Sequence, residues 1–575
     1  MSTINTYKQK PILFCLIFLA LVWSSHSVAA PLYRPERPQR EINTDEYKLI
    51  VQKNNRIDIL LLSGQHVLDD FYPAVQFADG ARKPIQIHHR QSVRTAVRNP
   101  LGQGNGFQFR SKDGDWQIAT YPTQPFLTID FTFINHTRKP VDVARLSPLG
   151  VGKGGSLYLG GVGPIRVFCP PDGDQRFAMI AGASASSPGH LAAYNEATGQ
   201  SVLAGFLHSG AGRGEVRLAA SSGMAPGQFD QFAADTVFDP PVTVAPGESL
   251  PAGSVYLAIT ERDPQEALER FALAGRWLAS EGAPEFPDTA PEISGGGETL
   301  LDWAIASRQY YAARGGSPAI AAWLGDLEKL SPRFNDNQFI TAMTLAAVQG
   351  ADLEPAASTG GLSAVRRHVL SRLAPPAAGG RPRDLFQEAP PGQWVLPVDG
   401  AAGKWTIAAL FNWDADRSVE TDIPLPRLGL NGENYYTIYD YWAGQYLGVI
   451  QGRLRAEIPA EGVRLFGLRL FEKRPLLVAG GGHFTQGARD HTSLSWSYEG
   501  RVLAGEFQGA PGKPYTLTVL IPEPYVFAEL NSEPAAEEHA VSGAVLTFTV
   551  RPDAGGRAAW RVKCGVSGTA YTPAP

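Results

Sequence analysis

The period of the apolar residues changes twice along this chain, and the two changes restrict its possible folds. From Tyr47 to about Thr260 apolar and polar residues alternate, as in FLTIDFTFIN (126–135), which is typical of strands with one buried face. From DPQEALERFALAGRWLAS (263–280) the period is helical, and after PPGQWVLPV (390–398) the strand pattern returns. The sequence therefore predicts a mainly β, multidomain protein with a central α-rich region.

The first β region is predicted to be a large antiparallel β-sandwich over residues 45–262. EYKLIVQKNNRIDILLLSG (46–64) contains two strand-like runs joined at KNNR. Turn signals recur at NPLGQGNG (99–106), PPDGD (170–174) and APGES (245–249), and short strands divided by such turns are typical of sandwiches.

Helical periods fill residues 263–390. The first helix is opened by Asp263 and Pro264, which suit an N-cap and a first turn. The predicted helices cover 263–280, 297–316, 317–331, 337–354 and 362–373. Two further β-sandwich-like domains are predicted over residues 391–474 and 475–566.

The N-terminus has the three parts of a secretory signal. Lys8 and Lys10 precede the apolar stretch PILFCLIFLALVW (11–23), and small residues follow as far as Ala30. A membrane anchor is the alternative, but a span needs about 20 apolar residues. We therefore expect residues 1–30 to direct export, to the periplasm or out of the cell, with no membrane span after their removal.

Composition and motifs exclude several classes of function. The formal net charge of −5 and the lack of a basic cluster argue against nucleic acid as a partner. Cys169 and Cys564 remain after signal removal, and whether they pair is open. No phosphate-binding loop or Gly-x-Ser-x-Gly elbow occurs. No histidine has the spacing of a zinc helix, so no metal or other cofactor is predicted; the histidines considered are His66, His88, His89, His483 and His491.

Three segments near the C-terminus carry the pattern of a known family: WTIAALFNWDADRSVETDIPLPRLGL (405–430), YYTIYDYWAGQYLG (435–448) and EIPAEGVRLFGLRL (457–470). Together they resemble the C-terminal β-domain of α-galactosidase-like (melibiase-type) glycoside hydrolases. RPRDLF (381–386) and FNDNQFITAMTLAAVQGADLE (334–354) are similar to the parts of those enzymes where the barrel ends. The resembling motifs are Phe411-Asn412-Trp413, Leu428-Gly429-Leu430, Asp440-Tyr441-Trp442-Ala443-Gly444 and Arg464-Leu465.

The resemblance implies a sandwich, a (β/α)₈ barrel and a C-terminal β-domain, with carbohydrate as the partner. It also implies retaining O-glycoside hydrolysis by two aspartates about 5–5.5 Å apart at the barrel's catalytic face. Only 127 residues, however, lie between Trp277 and Trp405, whereas a complete barrel takes about 250. Residues 263–390 are therefore predicted to form a shortened, partial barrel-like region.

Three aspartates of this region are candidate catalytic residues, and each has a structural alternative. Asp302 and Asp326 lie on predicted helices, where a solvated face is the alternative, and Asp336 suits an N-cap together with Asn335. Aromatic side chains near the presumed pocket are candidates for stacking on sugar, namely Trp303, Tyr310, Tyr311 and Trp323. Asp414 and Asp416, in contrast, are predicted to form a turn between two strands.

Two hypotheses about function remain open. The chain is an exported hydrolase of the α-galactosidase-like group, or it is a non-catalytic relative whose β-domains bind or organise carbohydrate. Loss of an internal segment from the coding sequence is a further alternative. The sugar, the linkage and the oligomeric state do not follow from the sequence.

Overall fold

A computed structural model describes most of the two β-rich parts of the chain and pieces of the central one. The first compact unit comprises Met1–Ile165, Ile180–Ala185 and Asn195–Arg262, and the second comprises Arg166–Met179, Ser186–Tyr194 and Asp263–Pro575. The mainly β fold class is confirmed. The described residues are 40–52, 56–85, 92–163, 165–169, 178–180, 184–261, 264–279, 300–301, 304, 334–350, 362–375, 377, 379–385 and 390–567.

The first unit is built from antiparallel strands in two sheets. Four strands have residues in both units, namely β11 (Ile165–Phe168), β12 (Ala178–Ile180), β13 (Ala185–Pro188) and β14 (His190–Asn195). The other strands are β1 (Arg40–Asn43), β2 (Tyr47–Val51), β3 (Ile57–Leu61), β4 (His66–Phe77), β5 (Arg82–Pro84), β6 (Ser92–Asn99), β7 (Gly102–Ser111), β8 (Gly114–Thr120), β9 (Phe126–Ile134), β10 (Val141–Tyr158), β15 (Ser201–His208), β16 (Arg213–Ala219), β17 (Gln228–Phe229), β18 (Gln231–Val244) and β19 (Ser249–Thr260).

These two sheets confirm the predicted N-terminal sandwich. One contains the run β1-β2-β3-β4-β10-β18-β16 and the other the run β15-β19-β9-β8-β7-β6. Rings of Phe71 and Trp116, one from each sheet, meet edge to face at 5.7 Å. The Tyr47 hydroxyl crosses the same core to donate a hydrogen bond of 2.9 Å to the carbonyl of Phe126. Buried aromatic residues thus connect the two layers through the core.

Within its described residues, the second unit contains three helices and four small sheets. The helices are α1 (Pro264–Ala279), α2 (Asp336–Val348) and α3 (Ala364–Leu373). The strands of the first part are β20 (Arg381–Pro382), β21 (Gln393–Gly400), β22 (Gly403–Phe411), β23 (Val419–Pro424), β24 (Tyr435–Asp440), β25 (Gln445–Gln451), β26 (Arg453–Ile458) and β27 (Val463–Leu470), with a 3₁₀ turn at Leu425–Leu428. Those of the last part are β28 (Leu476–Gly480), β29 (His491–Ser497), β30 (Val502–Gln508), β31 (Tyr515–Leu520), β32 (Tyr525–Glu533), β33 (Glu538–Ser542), β34 (Val545–Val550) and β35 (Arg557–Val566).

The sheet β20-β21-β22-β27-β24-β25 is the central element of the second unit, and we call it the central sheet. Its strands place alternate residues in two different cores. Ala408 and Leu410 of β22 face the two-stranded sheet β23-β26. Ile407 and Ala409 of the same strand face a second core that includes Phe339 of α2. Burial of both faces explains why WTIAALF reads as one continuous apolar run.

The last part of the chain, residues 476–566, is a small sandwich that we call the accessory domain. Its two sheets have the orders β28-β31-β34-β33 and β29-β30-β35-β32. Leu503, Leu517 and Trp560 of this sandwich belong to the same core as Ile407 of the central sheet. The accessory domain therefore packs on the face of the central sheet that carries Ile407 and Ala409, and the two share one core.

Tyr441 and Trp442, from the family-like run DYWAG, hold α2 and α3 against the central sheet. The Trp442 indole N–H donates to Thr344 Oγ1 at 3.1 Å. Arg372 Nε donates to the Tyr441 hydroxyl at 2.9 Å, and its guanidinium lies 4.2 Å from the Tyr441 ring centre. The Asp440 carboxylate forms an ion pair with Arg464, in which Oδ2 lies 2.9 Å from Nη1. This pair fixes the turn that presents both rings.

Asn412 closes the corner that follows β22. Its amide Nδ2 donates to the carbonyls of Arg417, Ile458 and Pro459 at 2.7–3.2 Å, and its Oδ1 accepts from Asp414 N at 3.0 Å. The predicted turn at Asp414 is confirmed, because Asp414 Oδ1 accepts from the backbone N–H groups of residues 416 and 417 at 2.9 and 3.1 Å.

We expect Asn412→Ala to lower the free energy of unfolding by about 2–4 kcal/mol, because three carbonyls and one N–H lose their partner in a largely buried corner. Urea unfolding followed by tryptophan fluorescence measures the change. Asp416→Ala, at an exposed position of the same turn, is the control and is expected to change stability by less than about 0.5 kcal/mol. Equal effects of the two substitutions would show that the Asn412 contacts do not stabilise the corner.

Two histidines of the accessory domain are buried in neutral form. His483 has Nε2 3.0 Å from the carbonyl of Pro375 and Nδ1 2.8 Å from Thr485 Oγ1. Burial lowers the pKa of His483 to about 4, and burial together with nearby Arg469 lowers the pKa of His491 to about 4. Both values lie below the ordinary 6.5, so the unfolded chain takes up protons at a higher pH than the folded one.

Stability is therefore expected to be complete above pH 6.5 and to fall as the pH decreases from 6.5 towards 4, by up to about 3 kcal/mol per histidine. His483→Gln removes one of these protonation sites. The slope of the unfolding free energy against pH is therefore expected to correspond to about one proton fewer taken up on unfolding. Urea unfolding at a series of pH values measures the slope. An unchanged slope in His483→Gln would mean that His483 protonates alike in both states.

Candidate functional site

Asp336 is the one predicted catalytic candidate that the structure describes. It begins α2, directly after Asn335, whose side chain accepts from Gln338 N at 2.9 Å in a reciprocal capping box. Asn335 is therefore the N-cap, as predicted, whereas Asp336, for which the same role is predicted, is the first residue of the helix. The Asp336 carboxylate accepts a 2.8 Å bond from Arg366 Nε and is 53% exposed. Its contacts are those of a residue that stabilises a helix start and joins it to α3.

The other candidates lie outside the described residues. They are the aspartates Asp302 and Asp326 and the aromatic residues Trp303, Tyr310, Tyr311 and Trp323. Asp384, of the RPRDLF segment, is described and buried. Its two carboxylate oxygens accept from the backbone N–H groups of Gly392 and Gln393 at 2.9 and 3.1 Å, so it fixes the entry into β21.

A cluster of two aspartates and one histidine in the first unit carries side-chain atoms of the types that bind metal ions. The ligand atoms of Asp58, His66 and Asp69 lie within 4.8 Å of one another. Each is already engaged by protein: Asp58 accepts from Gln52 and from Asp70 N, and His66 Nδ1 lies 2.6 Å from Asp69 Oδ1. Burial raises the pKa of Asp58, and the bond to Asp69 raises the pKa of His66. These three side chains therefore already have hydrogen-bond partners within the sandwich.

Three aromatic rings at one end of the accessory domain form a partly exposed surface, which we call the aromatic corner. The Trp496 ring centre lies 5.9 Å from that of Tyr498 and 5.2 Å from that of Tyr525, with interplanar angles of 81° in both pairs. Tyr498 is 70% exposed. Two rings therefore stand nearly perpendicular to a third, and one of them presents most of its surface to solvent.

Local structure places these rings. Trp496 is the second-to-last residue of the alternating strand β29, and Tyr498 follows in the turn before β30, where Gly500 N donates to Ser497 Oγ at 3.1 Å. The charged Glu499 and Arg501 of this turn are exposed and opposite in sign. An aromatic face bordered by polar groups without a net charge suits the apolar C–H face of a neutral sugar ring.

The sequence predicts only a β-sandwich-like domain around TSLSWSYEG (492–500), and its candidates for stacking on sugar lie elsewhere. The sequence feature that could have indicated the aromatic corner is an aromatic residue in a hairpin turn, two positions after a tryptophan. The contribution of Tyr525 comes from a distant strand, so the complete group requires the three-dimensional structure.

A comparison with sequence families supports the resemblance in the C-terminal part. Residues 394–468 match the family described as the alpha galactosidase C-terminal beta sandwich domain. This range contains the central sheet's strands β22 and β24, most of β27, the Asn412 corner and the DYWAG turn. No curated protein matches the chain.

Solved structures similar to the chain include glycosidases at low identity. The α-galactosidase from Lactobacillus brevis has 10% identity and a TM-score of 0.41, over 76% of this chain and 98% of that one. A variant of the GH36 α-galactosidase AgaA from Geobacillus stearothermophilus, solved with stachyose, has 8% identity and a TM-score of 0.41, over 75% and 100%. A GH27 β-L-arabinopyranosidase from the same organism has 20% identity and a TM-score of 0.20, over 24% and 31%.

Among the described residues, no helix has the length and apolar character needed to cross a membrane. The family match covers a part of the chain that follows the described helices. The chain thus carries, at residues 394–468, an α-galactosidase-type C-terminal β-sandwich domain.

Proposed function

We propose that the protein is an exported carbohydrate-binding relative of the α-galactosidase-like glycoside hydrolases and that it does not hydrolyse glycosides. One observation carries the proposal: the family sandwich at 394–468 follows a region with only 127 residues between Trp277 and Trp405. A catalytic barrel takes about 250 residues. The domain that accompanies catalysis is therefore retained while the length needed for the catalytic domain is not.

The contacts of Asp336 support the absence of hydrolysis. Retaining hydrolysis needs one carboxylate as nucleophile and a second as acid and base, about 5–5.5 Å apart and directed at the sugar. The Asp336 carboxylate instead pairs with Arg366 beside its own helix start. If this carboxylate moved away from Arg366 to reach a substrate, the ion pair would break and the helix N-terminus would lose a favourable negative charge.

Sugar contact is assigned to the aromatic corner. The rings of Tyr498 and Tyr525 both lie beside Trp496, and the tyrosine hydroxyls can donate and accept hydrogen bonds with sugar hydroxyls. The C-terminal family makes α-galactosyl oligosaccharides the first ligands to test. The basic, apolar and small-residue parts of residues 1–30 support export.

A retaining α-galactosidase is the second candidate, and the family match favours it. It would need Asp336 to act together with Asp302 or Asp326. The two candidates differ in one observable, which is the release of sugar from a glycoside.

We expect the purified protein to release no aryl group from aryl α-galactosides or related glycosides above the rate of the buffer. Asp336→Asn is expected to leave that result unchanged and to lower stability by about 1 kcal/mol or less, because the ion pair with Arg366 is half exposed. Absorbance of the released phenol and thermal unfolding measure the two quantities. Turnover that disappears in Asp336→Asn would establish the hydrolase.

Binding is tested separately by titrating the protein with raffinose in a calorimeter. Tyr498→Ala is expected to weaken the affinity about tenfold, since one lost stacking contact corresponds to about 1.4 kcal/mol. Tyr435→Ala is the matched control, because Tyr435 is also an exposed tyrosine but lies in the family sandwich outside the aromatic corner. An equal loss in both variants, or none in either, would exclude the aromatic corner as the binding surface.

A further inference from the structure

Arg469 is a buried cation between the central sheet and the accessory domain. It lies on β27 and pairs with Thr437 of β24, and only 6% of it is exposed. Burial lowers its pKa to about 9, so the guanidinium still carries its charge at neutral pH. A charged group inside a protein is normally paired with an opposite charge, because the loss of hydration is otherwise uncompensated.

The contacts of Arg469 do not supply that opposite charge. Its guanidinium carbon lies 3.4 Å from the ring centre of Trp405, and Nη2 donates to the carbonyl of Gln486 at 2.8 Å. In the part of the chain that the structure describes, no carboxylate pairs with Arg469, and its Nε–H has no acceptor. A ring face and one carbonyl stabilise the cation but leave its charge in place.

The residues around the guanidinium have further unused donors. The Gln486 side chain is fully buried, and neither its Nε2 nor its Oε1 has a partner. It lies against Gly467, two residues before Arg469, where a Cβ would stand 2.0 Å from Oε1. Trp405 Nε1 is a further buried donor without a partner, whereas His491 Nε2 is an unpartnered acceptor, because neutral His491 donates from Nδ1 to the carbonyl of Gly487. The unpartnered donors of this shell are Arg469 Nε, Gln486 Nε2 and Trp405 Nε1, and its unpartnered acceptors are Gln486 Oε1 and His491 Nε2. Donors thus outnumber acceptors, and the shell carries a net positive charge.

Water and anions differ in how well they match such a shell. A water molecule must donate as well as accept, and it brings no charge. A small anion accepts from several N–H groups at once and neutralises the guanidinium, which makes each hydrogen bond stronger in a medium of low dielectric constant. Donor excess and uncompensated charge therefore both favour an anion.

We infer that Arg469, Gln486 and Trp405 form a binding site for one small inorganic anion in the joint between the central sheet and the accessory domain. Such an anion would hold the segment that carries Gln486 and His491 against β27. The site lies apart from the aromatic corner and does not depend on the function proposed for it.

The test measures thermal unfolding of the full chain in sodium fluoride with increasing replacement by chloride or bromide at constant ionic strength. We expect the unfolding midpoint to rise and then saturate with chloride or bromide. Arg469→Gln is expected to lose the saturable rise. Arg453→Gln is expected to keep it, because Arg453 forms a half-exposed pair with Asp422 on β23.

A bromide-soaked crystal of the unmodified protein gives a second reading that does not require Arg469→Gln to fold. An anomalous peak beside the Arg469 guanidinium would support the inference. Equal midpoints in all halides, or ordered water without bromide at this position, would overturn it. A saturable rise that persists in Arg469→Gln would also overturn it.

Discussion

Burial of both faces of the central sheet is the constraint on which the rest of the second unit depends. One face of β22 and β27 packs on β23 and β26, and the other packs on α2, α3 and the accessory domain. A strand that alternates between two cores cannot shift its register by one residue without exchanging the two sets of side chains. The pairing of Thr406 with Leu468 and of Phe411 with Val463 is therefore fixed by packing on both sides.

This arrangement gives a physical meaning to the family-like motifs. Asn412 ties three carbonyls at the corner after β22, and Asp440 and Arg464 fix the turn that presents Tyr441 and Trp442 to the helices. None of these side chains needs to touch a substrate to be required by the fold. Their presence marks the architecture and leaves the chemistry to be decided by other residues.

Much of the fold follows from sequence, because its determinants are local. The alternation of FLTIDFTFIN predicts β9, and Asn335 before an apolar run predicts the start of α2. The aromatic corner and the Arg469 site are different, since each depends on side chains that are distant in sequence. Tyr525 and Trp496 lie 29 positions apart, and nothing near Arg469 in the sequence indicates a buried cation without an acidic partner.

Hydrogen exchange, read by mass spectrometry in increasing urea, tests most directly whether the central sheet is the element on which the second unit depends. The account predicts that the amides of residues 407–410 and 465–468 exchange only through global unfolding, and that α2, α3 and the accessory domain lose protection at the same urea concentration or earlier. Earlier exchange of these central strands, while α2 or the accessory domain stays protected, would contradict it.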